Sequence, residues 1–196
     1  MAKSPKDGKL LYHLTHVDNI ASVLENGLQP RANLNAGDFK DTADPNIIEE
    51  RKSYKDGLSH YIPFHFFVKN PYDGAVCKTE GSENMAIIAI QRPEDCFNGY
   101  YIVPNHPLSG NPDFFPYQEG FKKVRWDLID ERDYSDPEVK QACLAECDVD
   151  HPIDPQNFAF IYVKNETVGN KVRDLCKSAG FEKLAPKVQV NPYMFP

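Results

Sequence analysis

LYHLTHVDNIASVLENGL, residues 11–28, decides the fold class, because its periodicity changes from that of a strand to that of a helix. The segment KLLYHL at 9–14 predicts a short β-strand, on which alternate side chains share one face. The residues after it predict a helix with Asp18 as its N-cap, apolar side chains three and four positions apart, and Gly27 at its end. This succession indicates a domain that mixes strands and helices.

The rest of the chain predicts further strands and helices. Strands are predicted at 61–67, Met85–Gln91, Tyr100–Val103, Phe158–Val163 and Val188–Val190. Helices are predicted over 136–146, where Asp136 is the N-cap and a proline follows, and over 167–179, where an apolar face ends at a glycine. Residues 29–46 and 104–117 predict loops, and NIIEERKSY at 46–54 allows a short helical turn. The fold class is therefore α+β.

The composition is that of a soluble globular protein. Of the 196 residues, 41% are hydrophobic and 26% are charged, which suits one domain over residues 1–196. No apolar run reaches the roughly 18 residues of a membrane span, and the N-terminal MAKSPKDGK lacks the apolar stretch of a signal peptide. We therefore expect a cytoplasmic protein that does not contact a membrane, with its five cysteines as reduced thiols.

The net charge of −7 is concentrated in one segment. Residues 127–150 hold nine acidic and two basic side chains, so the remainder of the chain is neutral overall. Negative charge opposes binding to nucleic acid. Because the acidity is local, a neutral or basic groove for nucleic acid remains possible elsewhere on the surface.

The strand at 9–14 and its continuation present polar side chains. His13 and Thr15 share one face, where a ring and a hydroxyl would meet a ligand; the alternative is that His13 is a hydrogen-bonded core histidine. The chain contains neither HExxH nor CxxC, so we expect no metal site. It also lacks GxGxxG and a P-loop, which argues against nucleotide binding through those frameworks.

Two further positions could carry chemistry. Glu146 ends the apolar run at 142–145, and a carboxylate there would suit orienting a ribose hydroxyl or offsetting a developing positive charge. The alternative is an exposed glutamate at a helix end. Arg51 and Lys52 follow two glutamates, and they are either an anion contact or part of a solvated charge run.

Four segments together resemble the DarT family of DNA ADP-ribosyltransferase toxins. They are LYHLTHVDNIASVLENGL (11–28), IIEERK (47–52), HYIPFHFFVKNPYDG (60–74) and DPEVKQACLAECDVDHPI (136–153). The resemblance runs in order across most of the chain. It implies an ADP-ribosyltransferase fold, a split mixed β-sandwich with flanking helices that binds NAD in its central cleft. It also implies transfer of ADP-ribose from NAD to a thymine or guanine base of single-stranded DNA.

The resemblance also implies roles for particular residues. The positions that match NAD-contacting residues are His13, Leu14 and Thr15, with Asn19 and Ser22 on the next helix. The positions that match catalytic residues are Glu146 and Arg51, although a gapless alignment from Ile48 places Lys52 at the arginine's position as a substrate-binding cation. His106, in IVPNH, matches a histidine that lies over the substrate base.

Two departures from the family pattern bear on which base and sequence are modified. Residues 68–71 read Val-Lys-Asn-Pro where the family often has Pro-Arg-Ser-Pro, and CDVDHP after Glu146 is more acidic than the usual apolar run. Because the segment 127–150 would repel phosphates, we expect the DNA to approach from another side. A macrodomain antitoxin is the partner that the resemblance implies.

Two alternatives remain from the sequence alone. One is a transferase of the same fold that uses NAD but modifies RNA or protein. The other is a non-catalytic relative that binds NAD or a partner. An intact Glu146 argues against the second.

Overall fold

The computed structural model describes residues 3–35, 37, 39–43, 45–53, 57–108 and 113–196, and the side chain of Lys52 lies outside this description. The strands are β1 (Leu10–His16), β2 (Ile62–His65), β3 (Met85–Gln91), β4 (Tyr100–Val103), β5 (Phe115–Pro116), β6 (Glu146–Val149), β7 (Phe158–Val163) and β8 (Val188–Val190). The α-helices are α1 (Ile20–Asn26), α2 (Pro45–Ser53), α3 (Pro71–Glu80), α4 (Tyr117–Lys123), α5 (Trp126–Glu131), α6 (Pro137–Ala142) and α7 (Glu166–Ser178).

The eight strands form one mixed sheet in the order β5-β4-β6-β2-β1-β3-β7-β8. Neighbouring strands are antiparallel except for β7 and β8, which are parallel. The two halves of the sheet meet at β1 and β2, where a single pair, Tyr12 opposite His65, is in register. In contrast, β1 pairs with β3 along its whole length, from Leu10 to His16. The sheet is therefore split near its centre, which confirms the expected fold class.

Apolar side chains cover both faces of the sheet. Six consecutive residues of β3 are buried, as expected for a central strand that is packed on both sides. On one face, α7 contributes Val172 and Cys176 to the main core. On the other face, a smaller cluster includes Leu14, Met85 and Phe195. The sheet is thus a rigid support for the side chains that project from β1, β2 and β6.

The strands predicted at Met85–Gln91, Tyr100–Val103, Phe158–Val163 and Val188–Val190 are confirmed at the same bounds. The predicted helix over 167–179 is α7, shifted by one residue. The helical turn predicted within 46–54 is part of the longer α2, and Tyr54 lies outside the described residues.

The first strand and the start of the first helix were predicted wrongly. β1 continues to His16 because β3 pairs with it that far. Asp18 is not a helix N-cap; its N–H donates a hydrogen bond to His16 Nδ1 at 3.1 Å, in a 3₁₀ turn that precedes α1. The predicted strand at 61–67 is shorter, Ile62–His65.

The prediction of a helix over 136–146 was wrong at its C-terminal end. Asp136 does cap α6, since its side chain accepts hydrogen bonds from the N–H groups of Glu138 and Val139. The helix ends at Ala142, and Glu146 begins β6. Pairing with β2 on one side and β4 on the other provides hydrogen bonds that a longer helix would lose. Tertiary pairing therefore outweighs the local helix pattern.

The segments predicted as loops contain regular structure. Residues 29–46 include a 3₁₀ turn at Arg31–Asn33 and the start of α2, and residues 104–117 include β5, with 109–112 outside the described residues. The unusual stretch 68–71 begins α3, where the side chain of Asn70 accepts a hydrogen bond from the N–H of Asp73 at 2.9 Å. That stretch therefore contains a helix cap.

Within the described ranges, no helix is both long and apolar enough to span a bilayer. The five cysteines, all of which fall inside these ranges, form no disulfide with one another.

Candidate active site

A cleft opens beside the junction of β1 and β2. Its walls are formed by β1, α1, the loop at 39–43, α2 and β2, together with His106 and Glu146. Nine residues were predicted to belong to one site. Eight of them line this cleft, and the side chain of the ninth, Lys52, lies outside the described residues; the eight are His13, Leu14, Thr15, Asn19, Ser22, Arg51, His106 and Glu146. Residues that are far apart in sequence thus meet at the split in the sheet.

Glu146 lies at the start of β6, opposite His65 of β2 and Val103 of β4. It is only 7% exposed. Burial acts to raise its pKa, but the charge and hydrogen bonds of Arg51 hold the pKa below its usual range. Glu146 is therefore a buried, ionised carboxylate rather than an exposed glutamate at a helix end.

Arg51 projects from α2 to the same point. Its Nη1 donates hydrogen bonds to Glu146 Oε2 at 2.9 Å and to Oε1 at 3.2 Å. The side chain is 14% exposed, so the pair is shielded from water. This contact excludes the interpretation of Arg51 as part of a solvated charge run. It favours Arg51 over Lys52 as the cation beside Glu146, although the Lys52 side chain is outside the described part of the structure.

A second carboxyl, Asp148, lies two residues further along β6. It is fully buried, and its Oδ1 is 3.9 Å from Arg51 Nη2. Burial and the neighbouring negative charge of Glu146 raise the pKa of Asp148 well above its usual range. One guanidinium therefore faces two buried carboxyls, of which Asp148 has no contact with solvent.

His13 projects from β1, and its Nδ1 lies 2.9 Å from the carbonyl oxygen of Pro63. The carbonyl can only accept, so the ring donates its Nδ1–H. Burial lowers the pKa of His13 to about 4, which makes the ring neutral near pH 7 and leaves Nε2 as a hydrogen-bond acceptor. His13 is therefore a hydrogen-bonded core histidine at Nδ1, as the alternative supposed, and its ring also lines the cleft.

Asn19 anchors the loop that covers one side of the cleft. Its Oδ1 accepts a hydrogen bond from the backbone N–H of Lys40 at 2.7 Å, and its Nδ2 donates to the Lys40 carbonyl at 2.9 Å and to Thr15 Oγ1 at 3.1 Å. Both the oxygen and the nitrogen of the Asn19 side-chain amide are therefore hydrogen-bonded. Asn19 therefore shapes the cleft by holding this loop against β1.

The remaining predicted site residues have more local contacts. Leu14 is buried in the smaller core cluster with one side on the cleft. Ser22 accepts hydrogen bonds from the Asn26 side chain through its carbonyl and its Oγ. His106 Nδ1 accepts a hydrogen bond from the N–H of Leu108 at 3.3 Å, and burial lowers the pKa of His106.

Three residues near Glu146 were not assigned to the site from sequence. His65 Nδ1 is 3.3 Å from the Ala145 carbonyl, and Tyr72 places its hydroxyl 3.3 Å from Thr42 Oγ1. Asp148 is the third. The period of two along 62–65 and 146–149 was the available signal for His65 and Asp148, but it needed the correct strand assignment first.

Two sets of aromatic residues differ in their relation to the cleft. Phe64, Phe66, Phe67 and Tyr117 are buried in the core. Tyr61, which lines the cleft, has its ring centre 4.9 Å from that of Phe114 and 5.6 Å from that of Tyr101, and all three are half-buried. These three rings form a cluster at the cleft, which we call the Tyr61 cluster.

Among the described residues, no three or more histidine, cysteine or acidic side chains are grouped so that they could hold a metal ion.

Comparison with known proteins gives consistent matches. The sequence model of the family described as DarT, ssDNA thymidine ADP-ribosyltransferase, matches residues 12–196. A DNA ADP-ribosyl transferase of Thermus sp. (strain 2.9) is 25% identical over 181 residues, which cover 85% of this chain and 87% of that protein. A DNA ADP-ribosyl transferase–DNA ADP-ribosyl glycohydrolase fusion protein of Thermosipho africanus (strain H17ap60334) is 24% identical over 83% of this chain and 44% of the fusion.

Solved structures share the fold. Thermus sp. 2.9 DarT in complex with ADP-ribosylated ssDNA superposes with a TM-score of 0.83 at 22% identity and covers 100% of both chains. The same protein in complex with NAD+ gives a TM-score of 0.77 at 19% identity, over 97% of this chain and 98% of that one. The family match spans nearly the whole sequence, and the fold agrees with it. The chain therefore belongs to the DarT family of ADP-ribosyltransferases that modify single-stranded DNA.

Proposed function

We propose that this chain transfers ADP-ribose from NAD to a thymine base of single-stranded DNA, with Glu146 and Arg51 at the reaction centre. The observation that carries the proposal is the buried ion pair in which one Arg51 nitrogen donates to both Glu146 oxygens, on the wall of the cleft. Thymine is the acceptor named in the description of the family.

The cleft has the donors, acceptors and charges that suit NAD. His13 is a neutral ring with Nε2 as an acceptor, suited to a ribose hydroxyl or a carboxamide N–H. Leu14 gives apolar surface for a ring. The candidates for contacting the pyrophosphate are Lys40 and Arg31, which line the cleft and are paired with Glu80 at 2.9 Å and with Asp41 at 3.0 and 3.1 Å.

The reaction needs positive charge on the ribose to be stabilised. NAD supplies the ribose carbon whose bond to nicotinamide breaks, and positive charge develops on that sugar. The Glu146 carboxylate accepts a hydrogen bond from a ribose hydroxyl and offsets this charge. Arg51 fixes the carboxylate and keeps it ionised, since its positive charge lowers the pKa of Glu146. Because both side chains are buried, their charges act with little screening by water.

The acceptor base must leave its stack to reach this cleft, which favours a single strand. The Tyr61 cluster offers ring faces and edges on which a neighbouring base can stack. His106, which lines the same cleft, is suited to contact the base that is modified. Glu146 belongs to the acidic segment 127–150 but lines the cleft, so the predicted approach of DNA from another side concerns the exposed acids on α5 and α6 and stays a prediction.

The acceptor is tested by mass spectrometry of matched oligonucleotides incubated with NAD and the protein. The first oligonucleotide contains a single thymine, and the second is identical except for cytosine at that position. The third sample is the thymine oligonucleotide annealed to its complement. We expect an ADP-ribose adduct on the single-stranded thymine oligonucleotide alone, with fragmentation placing it on the base. Equal modification of the cytosine control, or modification of the duplex only, would contradict the proposal.

Asn19→Ala is expected to raise the KM for NAD several-fold with a smaller change in kcat, because the loop at 39–43 loses its anchor. The lost hydrogen bonds should also lower the free energy of unfolding by about 1–3 kcal/mol. Initial rates and urea denaturation measure these effects. Asn26→Ala is the control, since Asn26 is exposed at the end of α1, the helix that follows Asn19, and its side-chain amide donates only to Ser22 of that helix. Equal KM values for the two variants would contradict the anchoring role.

The biological setting is part of the same proposal. Modification of DNA bases is toxic, so we propose that the chain acts in the cytoplasm as a toxin and as one domain over residues 1–196. A glycohydrolase with a macrodomain is proposed as its antitoxin, since a relative joins a transferase to a DNA ADP-ribosyl glycohydrolase in one protein. Growth arrest on expression, relieved by such a glycohydrolase, is the expected result.

A further inference from the structure

The strand β6 carries two acidic side chains on one face. Glu146 and Asp148 are two residues apart, so both project to the side of the sheet where Arg51 lies. Pro63 of β2 and Tyr101 of β4 are the residues opposite Asp148, which places it between two strands in the interior of the sheet. Asp148 has 0% of its surface exposed.

The charges around Asp148 do not balance if it is ionised. Arg51 directs both hydrogen bonds from Nη1 to Glu146, and its Nη2 is 3.9 Å from Asp148 Oδ1, beyond hydrogen-bond range. Among the described residues, no N–H or O–H group donates a hydrogen bond to either oxygen of Asp148. Two buried anions would then share one cation, an arrangement that a proton on one carboxyl avoids.

The other titratable groups around the pair are His13 of β1, His65 of β2, Tyr72 of α3, Tyr101 of β4 and His106 in the loop after β4. The charge of His65 acts on Glu146 and lowers its pKa, whereas the charges that act on Asp148 are those of Glu146 and Arg51. Burial lowers the pKa of His13 to about 4 and also lowers that of His106. Glu146 and Asp148 are two residues apart on one face of β6, and a hydrogen bond between their carboxyls lowers the pKa of Glu146 and raises that of Asp148. A proton on either carboxyl makes that bond possible.

We propose that Asp148 is a positioning residue for ADP-ribose transfer: a neutral carboxylic acid that donates a hydrogen bond to Glu146 and holds it, with Arg51, in a single orientation. The assignment rests on the proposed role of Glu146. Asp148 keeps the proton because it is more deeply buried and Arg51 bonds to its neighbour. A neutral carboxyl kept as a hydrogen-bond donor beside an anionic site is a known use of a buried acid.

Two variants separate the donor role from the negative charge. Asp148→Asn keeps the size and an N–H donor but cannot ionise, and Asp148→Val fills the space without a donor. We expect kcat at pH 7 to fall about 10- to 100-fold in Asp148→Val, because a hydrogen bond to a charged group is lost. Asp148→Asn should be at least about tenfold more active than Asp148→Val.

The pH dependence is the second readout. A folded-state pKa raised above the unfolded value of about 3.9 means that the folded protein retains a proton that the unfolded chain releases, so this group lowers stability as pH rises. Asp148→Asn should therefore raise the Tm, and by more at pH 8 than at pH 5. The alkaline loss of kcat/KM that comes from ionisation of Asp148 should be absent in this variant.

An infrared measurement tests the proton directly and does not depend on activity. The wild-type protein at pH 8 should show a carbonyl band of a protonated carboxyl that is missing in Asp148→Asn. The proposal would be overturned by the absence of this band, by Asn and Val variants that lose kcat equally, or by an Asp148→Val variant as active as the wild type. If the wild type transfers no ADP-ribose but the band is present, the proposed function fails while the protonation of Asp148 stands.

Discussion

Glu146→Gln is expected to lower kcat for ADP-ribose transfer at least about 100-fold, because glutamine keeps the volume but removes the negative charge that offsets charge on the ribose. Arg51 Nη1 can still donate to the remaining amide oxygen, so the fold should persist. The measurement is a single-turnover rate with saturating NAD and single-stranded DNA, alongside NAD binding by calorimetry.

The control is Glu138→Gln, which removes a glutamate from the same acidic segment. Glu138 is exposed on α6 and pairs only loosely with Arg125, at 3.4 Å. It should change the rate less than about twofold, since exposed ion pairs contribute little. A Glu146→Gln enzyme that works within a few-fold of the wild type would remove Glu146 from the reaction centre.

Arg51→Met is expected to have the second-largest effect, on stability and on activity. It leaves Glu146 and Asp148 buried without a cation, which should lower the free energy of unfolding by about 3–5 kcal/mol. The transfer rate should fall at least about 100-fold, because the carboxylate loses the charge that keeps it ionised. Urea denaturation and single-turnover rates measure the two effects.

The pH dependence of this variant has a defined sign. Without Arg51, burial raises the folded-state pKa of Glu146 above the unfolded value, so the folded protein loses stability as pH rises. The difference from the wild type should therefore be larger at pH 8 than at pH 5. Lys52→Met is the matched control on the next residue. Loss of activity in Lys52→Met with a near-normal Arg51→Met would show that the catalytic cation is Lys52.

Several elements of the fold could be predicted from local sequence. The strands at Met85–Gln91 and Phe158–Val163 are runs of apolar, β-branched and aromatic residues, and their burial in the sheet preserves that signal. The helix α7 has a regular apolar face and a capping Asn165. Because the period of these elements is visible in the local sequence, they can be predicted without knowing how the strands of the sheet pair.

The element that carries Glu146 could not be predicted this way. β6 has only four residues, so its period of two is too short to identify a strand, and the residues before it favour a helix that starts at Asp136. Its strand conformation depends on β2 and β4, which are distant in sequence. Glu146 was therefore singled out from the apolar run before it and from the family resemblance, while its secondary structure was predicted wrongly.

The candidate site likewise contains residues that could be predicted from the sequence and residues that could not. Resemblance placed Arg51 and Glu146 in one site, and the hydrogen bonds between them agree with that assignment. Asn19 lines the cleft, but its bonds to the Lys40 backbone were not predicted, because they depend on how the loop at 39–43 folds. Asp148 was noted only as an acidic departure from the family pattern. Its burial beside Glu146 follows from the pairing of β6.

The most direct test of DNA as the acceptor is a competition between acceptors. Wild-type protein is incubated with NAD labelled in its adenylate phosphate and a mixture of single-stranded DNA, RNA of the same sequence and cell protein, which are then separated. We expect the label in the DNA, and none there with Glu146→Gln. Label confined to RNA or protein, or no label in any fraction while NAD binds, would contradict transfer to DNA.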